Sequence, residues 1–193
     1  MTQPLLLAMP DSEFAPVTED ALIEQPADGA ARARREKVAE QNKRAKFAEV
    51  LFCLKGIELG YDVKWMQGNC KGYDIILERN EMRPMFVQVK HAFLTTGRNY
   101  GAGKFYDICN AKNGAVYSST AYDVLAVYLW DRREWVLYSR AELGGRHGTT
   151  FTPPELRLRA VRGSGCDARD PNNWHLLDEV AESLTAHQKS FTP

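Results

Sequence analysis

The chain is short of the residues on which many metal and nucleophile chemistries depend. It has four cysteines and four histidines in 193 residues. Cys53, Cys70, Cys109 and Cys166 show no metal-ligand spacing, and no Cys-x-x-Cys occurs. They are expected to be reduced thiols with packing roles or none. His91, His147, His175 and His187 are scattered, which argues against a His-rich metal site. Gly-x-Ser-x-Gly and His-Glu-x-x-His are both missing, which removes the nucleophile elbow and the zincin helix. There is no Rossmann fingerprint and no Walker-type loop, so no nucleotide cofactor is expected. No apolar run approaches the roughly 18 residues of a membrane span. Leu5-Leu6-Leu7-Ala8-Met9 has no basic flank and does not read as a signal peptide. The expectation is a cytoplasmic protein with no membrane partner and no internal repeat.

Net charge is missing too: 25 basic residues balance 25 acidic ones. The balance hides an asymmetry. Residues 1–30 carry a net −6, residues 31–169 a net +9 and residues 170–193 a net −3. A +9 centre attracts a phosphate backbone in a salt-sensitive way. A solvated mixed-charge surface is the plainer reading of the same counts. The acidic, proline-bearing leader over 1–29 is expected to be disordered. Residues 30–169 read as one domain, followed by a C-terminal helix and tail over 170–193.

What is present is a pattern of helices and strands in alternation. Ala30 to Glu58 reads as one long helix, charged at first and then apolar. Phe47, Val50, Leu51, Leu54 and Ile57 recur at helical period and are expected to face the core. Glu49 lies off the centre of that stripe. Gly60 stops the helix, and Tyr61–Met66 reads as a first strand. Phe105–Ala111 reads as a short helix. Tyr122–Trp130 and Trp135–Ser139 read as strands about a turn at 131–134. Asp123, at the start of the first of these, reads as structural. Leu156–Val161 alternates and suggests a basic edge strand. His175–His187 reads as a last helix, packed on the core or on a partner subunit.

The centre of the pattern is a hairpin. Tyr73–Leu77 and Met85–Val89 are apolar, and Arg79-Asn80-Glu81 between them is polar and turn-tolerant. Folded about Glu81, it sets Asp74 opposite Gln88, with Cβ atoms about 5 Å apart. Gln88 and Lys90 then share a face by alternation, and His91 points the other way. A carboxylate, an amide and an ammonium group are costly in an apolar hairpin unless paired or coordinated. Two readings fit. Asp74 and Lys90 form a structural ion pair. Or Asp74 binds a hard cation such as Mg2+, with the Gln88 side-chain oxygen and the Val89 carbonyl as further ligands, and Lys90 orients a water or steadies charge on a phosphate. The Gly-, Asn- and Thr-rich stretch 95–104 follows as a loop, in which Arg98, Asn99, Tyr100 and Lys104 suit phosphate and base contacts.

Gly72-Tyr73-Asp74, a short hairpin and Gln88-Val89-Lys90 resemble the PD-(D/E)XK nuclease superfamily. Glu49, in Ala48–Leu54 before Leu59-Gly60-Tyr61-Asp62-Val63, matches the helical Glu that this superfamily usually adds. That stretch is similar to the opening helix and strand of archaeal Holliday-junction resolvases. Gln88 in place of an acid resembles a subset that includes some intron-encoded homing endonucleases. No Pro precedes Asp74. The resemblance covers about residues 43–139.

It implies an α/β fold with a restriction-endonuclease-like core, a mixed central sheet of about five strands flanked by helices. It implies Mg2+-dependent hydrolysis of DNA phosphodiester bonds, with Mn2+ as a substitute, and a homodimer. Asp74 would be the main metal ligand, Gln88 and the Val89 carbonyl would complete its shell, and Lys90 would position the attacking water. Glu49 would bind a second metal or a metal-bound water. The competing expectations are a catalytically silent DNA-binding module that keeps the fold, favoured by Gln88, and a basic core that binds RNA or an acidic protein.

Overall fold

The computed structural model describes residues 29–66, 72–80, 82–96, 104–109, 111–112, 115–118, 120–144, 148–151, 166–167 and 170–189. The chain divides into two units, residues 1–38 and 39–193. Of the first unit, residues 29–38 are described. They are helical and exposed, with Arg32 Nε 3.1 Å from Glu36 Oε1 one turn on. The rest of the acidic leader, residues 1–28, lies outside the described residues, as does the proposed edge strand Leu156–Val161.

The expected long helix is α1 (Gly29–Glu58). Its stop is set by Gly60, at φ +84°. The Gly60 N–H donates to the Ile57 carbonyl and the Tyr61 N–H to the Gly56 carbonyl, a Schellman closure that L side chains at position 60 would strain. The strands β1 (Asp62–Trp65), β2 (Ile75–Glu78) and β3 (Met85–Ala92) follow as an antiparallel meander. Then come β4 (Leu94–Thr96), β5 (Lys104–Cys109), β6 (Ala111–Lys112) and β7 (Ala115–Val116). β8 (Val124–Leu129) returns parallel to β3, and β9 (Glu134–Ser139) pairs antiparallel with β8. The short α2 (Arg140–Leu143), β10 (Gly148–Phe151), β11 (Cys166–Asp167) and α3 (His175–Lys189) complete the order.

The central sheet has five strands in the order β1-β2-β3-β8-β9, mixed and flanked by helices as expected. Alternation along β8 divides its side chains between two cores. Val124, Ala126 and Tyr128 join Ala48 and Phe52 of α1 and Leu176 and Leu177 of α3. Leu125, Val127 and Leu129 join Tyr106, Ile108 and Phe151 on the opposite face. That second core is roofed by a sheet the sequence did not foresee, in the order β11-β10-β5-β4. Helix α3 therefore packs on the core of its own chain.

Three expectations are corrected. Phe105–Ala111 is not a helix; Lys104–Cys109 is the strand β5. Tyr106 and Ile108 are buried while Lys104, Asp107 and Cys109 are exposed, the period-two burial of a strand. Thr95, Thr96 and Lys104 likewise belong to the β4–β5 pair rather than to a loop.

The apolar stripe of α1 is the third correction. Phe47, Val50, Leu54 and Ile57 are 48%, 39%, 59% and 60% exposed, and of the stripe only Leu51 packs against the core. The buried residues are Ala48, Glu49, Phe52 and Gly56. Small residues at 48 and 56 let the helix lie close on the sheet. A Cβ at Gly56 would sit 3.0 Å from Val63 Cγ2 and 3.1 Å from Leu77 Cδ2. Counting large apolar residues picks the wrong face when the contact is made by Ala and Gly. Urea unfolding checks this. Leu54→Gln and Ile57→Gln should each change stability by about 0.5 kcal/mol or less, whereas Phe52→Ala should cost about 3–5 kcal/mol.

Candidate active site

Pairing of Ile75 with Val87 places Asp74 opposite Gln88, as symmetry about Glu81 requires. Asp74 sits one residue before β2, where β2 stops covering β3. Its N–H donates to the Val87 carbonyl, and its carbonyl accepts from Met66 at 2.9 Å. Beyond this point, among the described residues, no strand pairs with this edge of β3, and the Asp74 side chain takes over. Oδ2 accepts the Val89 N–H at 2.8 Å and the Gln88 Nε2–H. Gln88 Nε2 also donates to the Val89 carbonyl at 3.2 Å. Gly72 shapes the approach. At φ +101°, it passes so near Ala121 that a Cβ there would lie 2.6 Å from the Ala121 Cβ.

Helix α1 brings Glu49 down onto the same end of the sheet. The residue is buried. Its Oε2 accepts from Trp65 Nε1 at 2.7 Å and from Lys46 Nζ at 2.8 Å. Trp65 ends β1 opposite Ile75, so the donor that fixes Glu49 stands beside the residue that follows Asp74. Lys90 does not pair with Asp74, which sets aside the simple ion-pair reading. Its ammonium donates to the Tyr117 hydroxyl at 3.0 Å and lies 5.2 Å from that ring's centre. Arg140 in turn donates to the Tyr117 carbonyl at 2.6 Å and stacks on Tyr122.

The electrostatics follow from this crowding. Burial raises the Asp74 carboxyl above its ordinary 3.8; the Val89 N–H opposes it, Glu49 adds to it, and Lys90 and Lys46 oppose it. Asp74, Glu49, Lys90 and Lys46 thus share one field. No third His, Cys, Asp or Glu joins the two carboxylates in a metal-sized cluster among the described residues. Asp74 Oδ1 and Glu49 Oε1 accept no hydrogen bond there.

Sequence reasoning brought together Glu49, Asp74, Gln88, Val89 and Lys90, and the structure places all five at this end of β2 and β3. It missed Lys46, Trp65 and Tyr117. Tyr117 lies 27 residues from Lys90, beyond any local pattern. Arg98, Asn99 and Tyr100 lie outside the described residues, and Lys104 is an exposed strand residue opposite Thr96. Asp123 is structural: its carboxylate accepts the Phe86 N–H at 2.8 Å and locks β8 to β3. A recess of about 920 Å³ borders Tyr117, Asp123 and Arg140, away from the five residues. Among the described residues, no helix is long and apolar enough to cross a membrane.

An aspartate whose folded pKa is raised stabilises the fold only while protonated. That stability is full below the unfolded value near 3.8 and is lost as pH rises through the folded value. Asp74→Asn should therefore melt above the parent at pH 7, and the gap should close as pH falls toward 3.8. Melting curves over pH 4–8 check the sign; a variant that melts below the parent throughout would overturn it.

Comparison by sequence finds no matching family model and no matching curated protein. Comparison of structure finds a bacterial homing endonuclease, I-Ssp6803I, with a TM-score of 0.54 and 15% identity. The match covers 74% of this chain and 95% of that one. The likeness is one of fold.

Proposed function

We propose that this chain is a metal-dependent DNA endonuclease that hydrolyses phosphodiester bonds at the Asp74 end of β2 and β3. The observation that carries the reading is the convergence of Glu49, Asp74, Gln88 and Lys90 from a helix and two strands. Their order along the chain is the one for which the sequence resembles a PD-(D/E)XK site, and the fold is similar to that of a homing endonuclease. Two carboxylates, the Glu49 charge adding to the raised proton affinity of Asp74, each with one oxygen left open, form a donor set suited to a hard divalent cation. Asp74 and Glu49 would hold Mg2+ or Mn2+, with the Gln88 side-chain oxygen as a further donor. When bound, the ion supplies Lewis-acid stabilisation of phosphate charge and an acidified water.

The chain's own groups do the rest. Trp65 and Lys46 fix the Glu49 carboxylate by one oxygen and leave the other facing the site. The Val89 N–H fixes Asp74 in the same way. Tyr117 holds the Lys90 ammonium, whose charge steadies a phosphate oxygen or orients the attacking water. Glu49 is buried and Asp74 half-buried, which limits how far water screens the two carboxylates. A homodimer would set two such sites on two strands.

One observation favours a second reading. The Gln88 amide donates to Asp74, where the superfamily usually places another acid, and this lowers the anionic charge available to a cation. That suits a silent DNA-binding module. A nuclease assay separates the two. Supercoiled plasmid, linear duplex and a four-way junction are incubated with Mg2+ or Mn2+, against EDTA. The enzyme reading expects metal-dependent cutting that falls about 10²-fold or more in Asp74→Ala and Lys90→Ala, with Lys90→Ala still bound to DNA. Bound DNA without cutting on any substrate selects the silent module, and wild-type cutting by Lys90→Ala removes its assigned role.

A further inference from the structure

Alternation along β3 turns Gln88 and Lys90 to the face of the sheet opposite α1. Ala92, of the same parity, belongs to the core that holds Tyr106 and Tyr122. Tyr117 packs against that core from its place just after β7. Its position is fixed on several sides. The Tyr122 ring meets it edge-on at 5.7 Å. A Cβ at Gly72 would lie 3.4 Å from Tyr117 Cδ1, so the ring lies against the turn that leads to Asp74. The Tyr117 carbonyl accepts from Arg140 Nη2 at 2.6 Å, and the Arg140 N–H in turn donates to the Asp123 carbonyl at 2.8 Å. Backbone and ring together set the hydroxyl in one place.

That hydroxyl has a proton to give. The Lys90 ammonium donates to Tyr117 Oη at 3.0 Å. An ammonium has donors and no acceptor, so the bond runs one way and the phenolic proton points elsewhere. Among the described residues nothing accepts it. The Asp74 carboxylate accepts from Val89 and Gln88 instead. Among the described residues Tyr117 is also the one acceptor for Lys90, whose other ammonium protons are therefore left to give. Arg140 is different, since its guanidinium is engaged by the Tyr117 carbonyl and, at 3.3 Å, by the Tyr122 hydroxyl. Tyr117 and Lys90 are both half-buried, and so both are within reach of a ligand.

We propose that the Tyr117 hydroxyl and the Lys90 ammonium donate together to one non-bridging oxygen of the DNA phosphate, which makes Tyr117 a catalytic residue of the site. Two donors 3.0 Å apart and an oxygen about 2.8 Å from each form a nearly equilateral triangle. A hydroxyl that already accepts from an ammonium is the stronger donor for it. The acceptor that suits this pair is anionic: a cation is repelled by Lys90, and a neutral acceptor leaves the ammonium charge unmatched. As water attacks, charge builds on the phosphate oxygens and both bonds strengthen. The contact is a hydrogen bond, and Tyr117 transfers no proton. The proposal rests on the DNA reading above and deepens it, because it gives Lys90 the phosphate rather than the water and adds a second, uncharged donor.

Binding is measured in EDTA, so that neither metal nor cutting plays a part. The full chain, Tyr117→Phe, Lys90→Ala and the double variant are each titrated into a blunt duplex over a range of salt. Tyr117→Phe keeps the ring against Tyr122 and Gly72 and loses only the hydroxyl; thermal melting confirms that each variant folds. Tyr117→Phe should weaken binding about ten-fold at every salt concentration. Its slope of log affinity against log salt should match the parent's, because no charge is removed. Lys90→Ala should lower that slope by about one. In the Lys90→Ala background, loss of the hydroxyl should still cost about three-fold or more. Parent-like affinity of Tyr117→Phe overturns the contact. So does a slope that falls by about one in Tyr117→Phe, or no further loss in the double variant, since either means that Tyr117 only holds Lys90. Hydroxyl-dependent binding by a parent that cuts nothing with Mg2+ or Mn2+ keeps the contact and sinks the hydrolase reading. Metal-dependent cutting with no hydroxyl-dependent binding does the reverse, and a parent that binds no duplex overturns both.

Discussion

The hydrogen bond from the Val89 N–H to Asp74 Oδ2 sets the terms for everything around it. Where β2 ends, β3 would otherwise present a bare backbone donor inside the protein, and a buried N–H without a partner costs about as much as a lost hydrogen bond. A carboxylate supplies the missing acceptor. The same carboxylate is then half-buried, beside a second acid, with its proton affinity raised. The group that closes the sheet end is thus also one whose proton affinity burial has raised.

Two kinds of close approach hold that arrangement open. Gly72 brings the turn before Asp74 against Ala121, and Ala48 and Gly56 bring α1 down onto β1 and β2. The low seat of the helix delivers Glu49 to Trp65 and Lys46. It also has a cost in exposed apolar surface, since the larger residues of α1 are turned away from the sheet. One of them, Phe47, ends on Trp130, where α1, β3 and β8 meet. The seat of Glu49 and the contact of Phe47 with Trp130 are thus two outcomes of one packing choice.

Much of the site was legible because hairpins are local. The pairing of Asp74 with Gln88 follows from the position of the polar turn, and the turn follows from residue types within ten positions. The burial of Glu49 was less direct. Its helical stripe pointed elsewhere, and only its order relative to Asp74 and Lys90 placed it inward. Tyr117 and Trp65 carried no signal, because each earns its place through a partner in another element. The second sheet was missed for a related reason. Phe105-Tyr106-Asp107-Ile108-Cys109 is too short to separate period two from period 3.6 with certainty, and the strands that settle the matter lie before and after it.

The sequence by itself determined where α1 stops and the hairpin register, while the mixed five-stranded sheet came only from the resemblance to a nuclease superfamily. The helix stop and the register depend on backbone geometry and on alternation between near neighbours. Tertiary structure alone decided which face of α1 is buried, what holds Lys90, and where the aromatic rings gather. Those outcomes turn on how closely two elements can approach, and that distance is fixed by the smallest residues at the contact, not by the most hydrophobic ones.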